Sequence, residues 1–481
     1  MCKDSIEKRA ERQPFAFVIP QKQRDYPTTL RMLGILQMGG VEIHQANADF
    51  IAAGKAYPVG SYVVLLSQPY RPYAQALLEK QKYPDIRQYP GGPPVPPYDN
   101  AGWTLPLQMG VKCDQVDYPF KADLKKLDEI TYPTTTPPQA TAPYIVLDSK
   151  KNAAYSVIFA LLKEKAEVYR TKKHIQKDKI HACTGSFIVK NTPQVQKSLP
   201  ELLEKWHVEA YELDSVEDIP KSPLKNPRIG LYQSWRSNMD EGWTRYVFDD
   251  LGVPFKSMHN KDFKATKKEK LDLKAKYDVI VFADEDADMI KNGKPSPTHP
   301  YARYFRGMNI PPEYQGGIGK EGVEALKTFV EKGGILVTLN SASGLVFKDF
   351  EAPVSNALER VDRSKFFCPT SLLKIKVDNS TPIGYGMPAE AAAMFSRSLA
   401  LRTRVPSGEW DRTVVASYPK EDILLSGWLL GEDQIARKAA VVDVKHKKGH
   451  IILIGFRCQH RAQSHGTYKF LLNTLLYPQT D

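Results

Sequence analysis

The chain repeats itself. One unit opens with a strand over 15–19 (FAFVI) and a helix over Thr28–Met38, whose apolar stripe is Leu30, Leu33 and Leu36. The pair Gly39-Gly40 stops that helix as glycine C-caps do. Strands VEIHQ (41–45) and GSYVVLL (60–66) and a helix through Tyr73–Lys80 follow. Shifted by 125 residues, AEVYR (166–170) falls on VEIHQ, GSFIV (185–189) on GSYVV, and LLEK (202–205) on LLEK (77–80). YIVLD (144–148) supplies the first strand again. Three elements at one offset, with the first strand a few residues off it, predict two copies of a β-α-β-β-α unit, each a small α/β layer. The polar residues differ between copies, His44 becoming Tyr169 and Pro69 becoming Gln194, so the repeat reads as architecture and not as paired catalytic sites.

A chain of 481 residues exceeds one ordinary core, and two to four domains are expected. The first copy is placed at 14–130 and the second at 143–217, with TYPTTTPPQATAP (131–143) as linker and DIPKSPLKNP (218–227) ending the second. Within the first copy, 84–111 is proline-rich yet carries Tyr89, Tyr98, Trp103 and Leu105. It is expected to be an ordered loop packed over a neighbour. From 227 to 481 the pattern changes: IGLYQS, YDVIVFAD, ILVTLN and HIILIGF are buried-type strands separated by helical segments, with a β-rich insertion at about 370–447. That pattern predicts a flavodoxin-like, mostly parallel sheet covered on both faces.

Composition narrows the function classes. The apolar share of 42% and charged share of 25% are those of a globular protein. No run reaches the roughly 20 apolar residues of a membrane-spanning helix. The net charge of +12 comes from scattered lysines with clusters at 262–276 and 445–448. No nucleic-acid-binding signature accompanies them, so a solvated surface is expected and no nucleic-acid partner. Five dispersed cysteines indicate neither a disulfide framework nor a zinc site. The N-terminal residues lack the apolar stretch of a secretory signal.

In a parallel α/β sheet ligands bind beyond the carboxyl ends of the strands. The tips 233–241, 284–288, 340–344 and 457–465 collect there, and Gln233, Trp235, Asp240, Glu241, Asp284, Asn340, Arg457 and Gln459 are the pocket candidates. Ser341 and Ser343 are weak nucleophile candidates, because neither has the Gly-x-Ser-x-Gly spacing of a nucleophile elbow. His460 or His465 could act as base, and Cys458 with His460 is the other pairing. GGIGKEG (316–322) lacks the preceding strand of a dinucleotide fingerprint, and DEDAD (284–288) lacks the later glycine and glutamate of a calcium loop. The first reads as a flexible loop and helix start, the second as a solvated acidic turn.

Longer stretches carry a resemblance. FAFVIPQKQRD, LGILQMGGVEIHQA and PYDNAGWTLPLQMGV resemble the region downstream of the catalytic domain in large bacterial zinc carboxypeptidases of the carboxypeptidase A class. SWRSNMDEGWTRYVFDDLGVPF, EGVEALKTFVEKGGILVTLNSASG and GFRCQHRAQSHGTYKFLLNTLL resemble the same proteins' C-terminal domain, which is similar in fold to class I glutamine amidotransferases. The family's peptidase domain binds zinc through His-x-x-Glu and a distant histidine. None of the ten histidines here has glutamate three residues on, so no metal ligand carries over and no cofactor is expected in this chain. The amidotransferase nucleophile, a cysteine after the strand corresponding to ILVTL, is replaced by a turn of Asn340, Ser341, Ala342 and Ser343.

The resemblance therefore implies an accessory region that positions substrate or braces a peptidase domain or separate catalytic chain. Zinc is expected only in that absent domain, and export is expected if the chain is part of a longer family member. The alternative is an independent ligand-binding protein or hydrolase using the C-terminal pocket. Recognition of peptide or cell-wall material would draw on Tyr98, Trp103, Trp235 and Trp243.

Overall fold

The computed structural model describes residues 13–177, 180–265, 271–295, 302–305 and 309–477. Cys2, His299, most of the N-terminal segment read for an export signal and part of the 262–276 lysine cluster lie outside them.

Both copies fold to one plan. The first holds β1 (Ala16–Ile19), β2 (His44–Ala46), β3 (Phe50–Ala52), β4 (Lys55–Tyr57), β5 (Tyr62–Leu65), β6 (Asp114–Val116) and β7 (Leu124–Lys126). The second holds β8 (Tyr144–Leu147), β9 (Val168–Thr171), β10 (Ile175–Lys177), β11 (Ile180–Ala182), β12 (Phe187–Lys190), β13 (Ala210–Leu213) and β14 (Lys221–Leu224). Each forms a five-stranded antiparallel sheet, β6-β1-β5-β2-β7 and β13-β8-β12-β9-β14, with the hairpins β3-β4 and β10-β11 beside them.

The unit is thus larger than the β-α-β-β-α of the sequence. A hairpin and two edge strands join it, and β14 lies inside the segment read as the end of the second copy. Pro223 is accommodated there because β14 is an edge, where a missing N–H breaks no inner ladder.

The backbone repeats down to single hydrogen bonds. Gly60 N donates to Ala46 O as Gly185 N donates to Thr171 O, at 2.9 and 3.0 Å. Gln21 N donates to Ser61 Oγ, and Ser149 N to Ser186 Oγ, both at 3.2 Å. The helices Tyr26–Met38 and Asn152–Lys163 end in the same way, one on Gly40 at φ +86° and the other on Lys165 at φ +63°. Asp25 joins their starts: its two carboxylate oxygens accept from Thr28 N (3.2 Å) and Asn152 N (2.8 Å).

The C-terminal sheet begins with β15 (Ile229–Tyr232), β16 (Lys256–Met258), β17 (Val279–Phe282) and β18 (Ile335–Leu339). It continues through β19 (Val354–Asn356), β20 (Ser371–Val377), β21 (Glu390–Phe395), β22 (Leu401–Thr403), β23 (Trp410–Ser417), β24 (Leu424–Ser426), β25 (Ala439–His446) and β26 (Gly449–Ile454). Five strands, in the order β16-β15-β17-β18-β26, are parallel. This is the doubly wound order 2-1-3-4-5. The β-rich insertion is not a separate layer: β25 pairs antiparallel with β26 and carries β23, β20 and β21 onward in the same sheet.

The proline-rich segment is ordered, as its buried residues require. Leu105 and Met109, on a short helix Leu105–Met109, and Val111 close the helix-side core of the first copy. Trp103 Nε1 donates to Ala76 O (2.6 Å). Tyr89 and Tyr98, however, stand exposed, against the expectation that these aromatics pack. The segment docks on the C-terminal domain through Gly102 N to Thr370 O (3.0 Å), and the residue before it through Tyr83 N to Gly427 O (3.1 Å). Among the described residues, no helix is long and apolar enough to cross a membrane.

Candidate functional site

Parallel strands end together, so their C-terminal turns meet. At the ends of β15, β17, β18 and β26 lies a cavity of about 480 Å³ lined by Asp240, Asp284, Glu285, Ser341, Arg457 and His460. Its rim is completed by Tyr98, Asp99 and Asn100 from the first copy and by Arg236, Arg397 and Arg461. The site is therefore composite: the proline-rich segment, held against Thr370, brings the first copy to the mouth of the last domain.

Arg457 organises the floor. Its guanidinium lies 2.5 Å from Asp240 Oδ2 and 2.9 Å from Asp284 Oδ2, and its Nε donates to Ser396 O. One cation between two buried carboxylates leaves one negative charge in excess. Burial, opposed by Arg457 and reinforced by Asp284, pushes Asp240 up to about 6. Glu285 accepts from Ser234 Oγ (2.8 Å), and burial pushes it up to about 7. Asp286 is spent on structure, its Oδ1 capping the helix Ala287–Asn292 at Asp288 N and Met289 N. The run is thus not the solvated turn expected from sequence: the side chains of Asp284 and Glu285 are buried in the cavity wall, and Asp286 caps a helix.

The elbow falls on Asn340, not on a serine. Asn340 is fully buried with φ +49°, directly after β18, and the chain then enters a helical turn. Positive φ on a non-glycine residue at a strand-to-helix turn is the geometry of a nucleophile elbow. A carboxamide is not a nucleophile, and this one is tied down: Asn340 Nδ2 donates to Asp284 Oδ2 (2.8 Å). Ser341 lines the cavity and its N–H donates to Asp284 Oδ1 (3.1 Å), but its hydroxyl has no base hydrogen-bonded to it among the described residues. Ser343 is buried beneath, bonded to Thr338 Oγ1 (3.0 Å).

The other nucleophilic candidates are equally unready. Burial pushes the Cys458 thiol up to about 12, away from the thiolate that reacts. His460 is buried in the cavity wall with neither ring nitrogen hydrogen-bonded among the described residues. Burial, then Arg457 and Arg461, push it down to about 3. His465 lies outside the cavity lining, its Nδ1 2.9 Å from Gln463 O, and burial holds it down at about 4. Four further candidates are structural. Gln233 N donates to Met258 O, the Trp235 ring rests on Tyr314, Glu241 pairs with Arg245, and Gln459 Nε2 donates to Asp240 O.

Of the residues singled out in sequence, the structure brings Asp240, Asp284, Ser341, Arg457 and His460 together in the lining, with Asn340 directly behind them. Sequence reasoning missed Arg236, Arg397, Arg461 and Glu285, and placed Tyr98 only among packing or glycan-binding aromatics. Among the described residues, no cluster of three His, Cys, Asp or Glu side chains could hold a metal ion.

No protein-family model matches the chain, and no curated protein does. Solved structures similar to it include a cytoplasmic protein of Salmonella typhimurium, at 14% identity over 53% of this chain and 100% of that one, with a TM-score of 0.31. A glutamine amidotransferase from Thermotoga maritima is 9% identical over 52% of this chain and 94% of its own, with a TM-score of 0.30. A beta-galactosidase from Bacillus circulans is 10% identical over 60% of this chain and 35% of its own, also with a TM-score of 0.30.

Proposed function

We propose that this chain is a non-catalytic recognition region serving a zinc carboxypeptidase-like peptidase, with the cavity at the C-terminal strand ends as its ligand site. The observation that carries the reading is the elbow. Its geometry is kept, but Asn340 occupies it with an amide held by Asp284. A site without a nucleophile, a poised base or a metal cluster among the described residues can still bind and orient. The resemblance of the sequence to the downstream region of zinc carboxypeptidases supplies the peptidase.

The test is reconstitution. The full chain is added to a zinc carboxypeptidase catalytic domain of the carboxypeptidase A class, and peptide hydrolysis is followed. The expected result is a lower KM at unchanged kcat, the signature of uniform substrate binding. An unchanged KM together with no association in sedimentation contradicts the reading.

A second reading, an independent ligand-binding protein or hydrolase, is favoured by one observation. Asp240 and Glu285 are pushed towards neutrality in one cavity beside an Arg-paired Asp284, a separation of carboxyl groups that acid–base chemistry uses. Turnover by the chain alone that Glu285→Gln abolishes would establish it.

A further inference from the structure

We infer that the cavity is an oxyanion-binding site shared between the first copy and the C-terminal domain. It takes a small ligand whose carboxylate or phosphoryl group is held by Arg236, Arg397 and Arg461 and whose body lies under Tyr98. This rests on the recognition reading above and names the chemistry that the site recognises.

Three independent features converge. The first is unspent cationic capacity. Arg236, Arg397 and Arg461 line the cavity, and among the described residues none of the three guanidinium groups makes a hydrogen bond or an ion pair, Arg397 being held only through its carbonyl by Asn340 Nδ2 at 3.4 Å. Arg457 beside them is consumed by Asp240, Asp284 and Ser396. Guanidinium is the side chain whose fixed fork of donors matches carboxylate and phosphate oxygens.

The second is backbone conformation. Arg397 has φ +49° and Arg461 φ +50°, a region that L-residues enter at a cost of about 1 kcal/mol or more, and Asn340, bonded to the Arg397 carbonyl, has φ +49°. Non-glycine residues held in this region at one cavity mark a place where side-chain direction is imposed by the fold.

The third is buried and unsatisfied. His460 is 4% exposed, lines the cavity, and among the described residues has no hydrogen bond at Nδ1 or Nε2. A neutral imidazole offers one donor and one acceptor. Leaving such groups without partners in a buried wall costs stability that a bound ligand recovers. An oxyanion takes the donor, and a hydroxyl or amine on the same ligand serves the acceptor. The carboxylates of the wall suit those same donor groups, while Asp240 and Asp284 already share Arg457. Tyr98, fully exposed on a segment anchored by Gly102 N to Thr370 O, supplies a flat apolar face at the rim. The cavity of about 480 Å³ suits a ligand of metabolite or short-peptide size.

The experiment is calorimetric titration of the full chain with inorganic phosphate, with tricarballylate, and with one tetrapeptide in its free-carboxylate and C-terminal amide forms. At least one oxyanion is expected to bind and to raise the thermal midpoint. The Arg397→Gln/Arg461→Gln double variant is expected to bind it about tenfold more weakly or worse, each protein's shift being read from its own unliganded midpoint because Arg397 also offsets the charge of Asp240. His460→Gln is expected to weaken binding several-fold. Uptake of phosphate alone identifies a phosphoryl source, and uptake of the free peptide but not its amide identifies a carboxylate source. Absence of binding by every probe, or equal binding by the double variant, overturns the inference. Oxyanion binding with no effect on a peptidase leaves this inference standing and removes the peptidase reading alone.

Discussion

The two copies share a backbone and differ in what their buried side chains reach. Gln45 and Arg170 occupy one position of the repeat, and each donates to the glycine carbonyl at the turn before the next strand. Gln45 Nε2 reaches Gly60 O at 3.3 Å, and Arg170 Nε reaches Gly185 O at 3.1 Å. Gln45 stops there. Arg170, 1% exposed, continues to Asn473 Oδ1 at 2.5 Å and to the Tyr155 hydroxyl at 3.3 Å, between the rings of Phe187 and Tyr385. Asn473 Nδ2 then holds Ile383 O and Tyr385 O.

The cores diverge likewise. The helix-side core of the second copy runs without a break into that of the C-terminal domain, whereas the first copy keeps its core apart and closes it with its own insertion. The first copy reaches the last domain through polar contacts, such as Arg24 to Gly386 O and Met387 O, and Arg31 to Asp250, and through a small separate apolar patch where Leu107 packs on Leu372, Ala392 and Met394. Duplication thus supplies one copy as part of the foundation and one as the carrier of a segment that reaches the site.

That contrast can be broken by mutation. The largest effect is expected at its centre. Arg170→Ala should cost about 3 kcal/mol in chemical denaturation, because it takes donors from Gly185 O, Leu476 O and Asn473 Oδ1 and removes a side chain packed among three rings, while Gln45→Ala should cost less than about 1 kcal/mol. Equal losses would show that the second copy is no more welded than the first.

The seam of the second copy also carries a pH signature. The His465 carbonyl holds Asn152 Nδ2 at 2.9 Å, and its buried imidazole is pushed down to about 4. The unfolded chain therefore binds the proton first. The contribution is fully present above the unfolded value of about 6.5 and is lost as pH falls towards 4, reaching about 2 kcal/mol at pH 5. His465→Asn should flatten that limb of the stability profile relative to wild type. A profile unchanged by the substitution would place the proton elsewhere.

The smallest effect sharpens the comparison at the helix ends. Lys165 holds φ +63° where the first copy has Gly40. Lys165→Gly should stabilise by about 0.5–1 kcal/mol, since glycine adopts that conformation without strain. Gly40→Ala should do the reverse and more, because a Cβ there would meet the Tyr70 ring at 2.7 Å. Thermal unfolding of the two variants checks both signs.

The repeat was legible because its longest strands and helices carry the aligned runs. The hairpins and the edge strands β6, β7, β13 and β14 were not, since three- or four-residue strands such as DQV or KSPL have no apolar alternation to read. The site was half legible. Parallel strands dictate where their tips meet, which places Asp240, Asp284 and Arg457 together. Arg397 and Arg461 belong to turns without a motif, and Tyr98 comes from a different unit of the chain. The elbow at Asn340 was not legible, because it depends on where β18 ends, and strand ends are the least certain feature of a pattern.

The central claim is that this cavity recognises and does not catalyse. It is tested most directly by turnover measurements on the purified chain with glutamine, peptide and glycoside substrates, beside its Ser341→Ala and His460→Ala variants. The account predicts no turnover above buffer for any of the three proteins. Hydrolysis by the wild type that either substitution abolishes would contradict it.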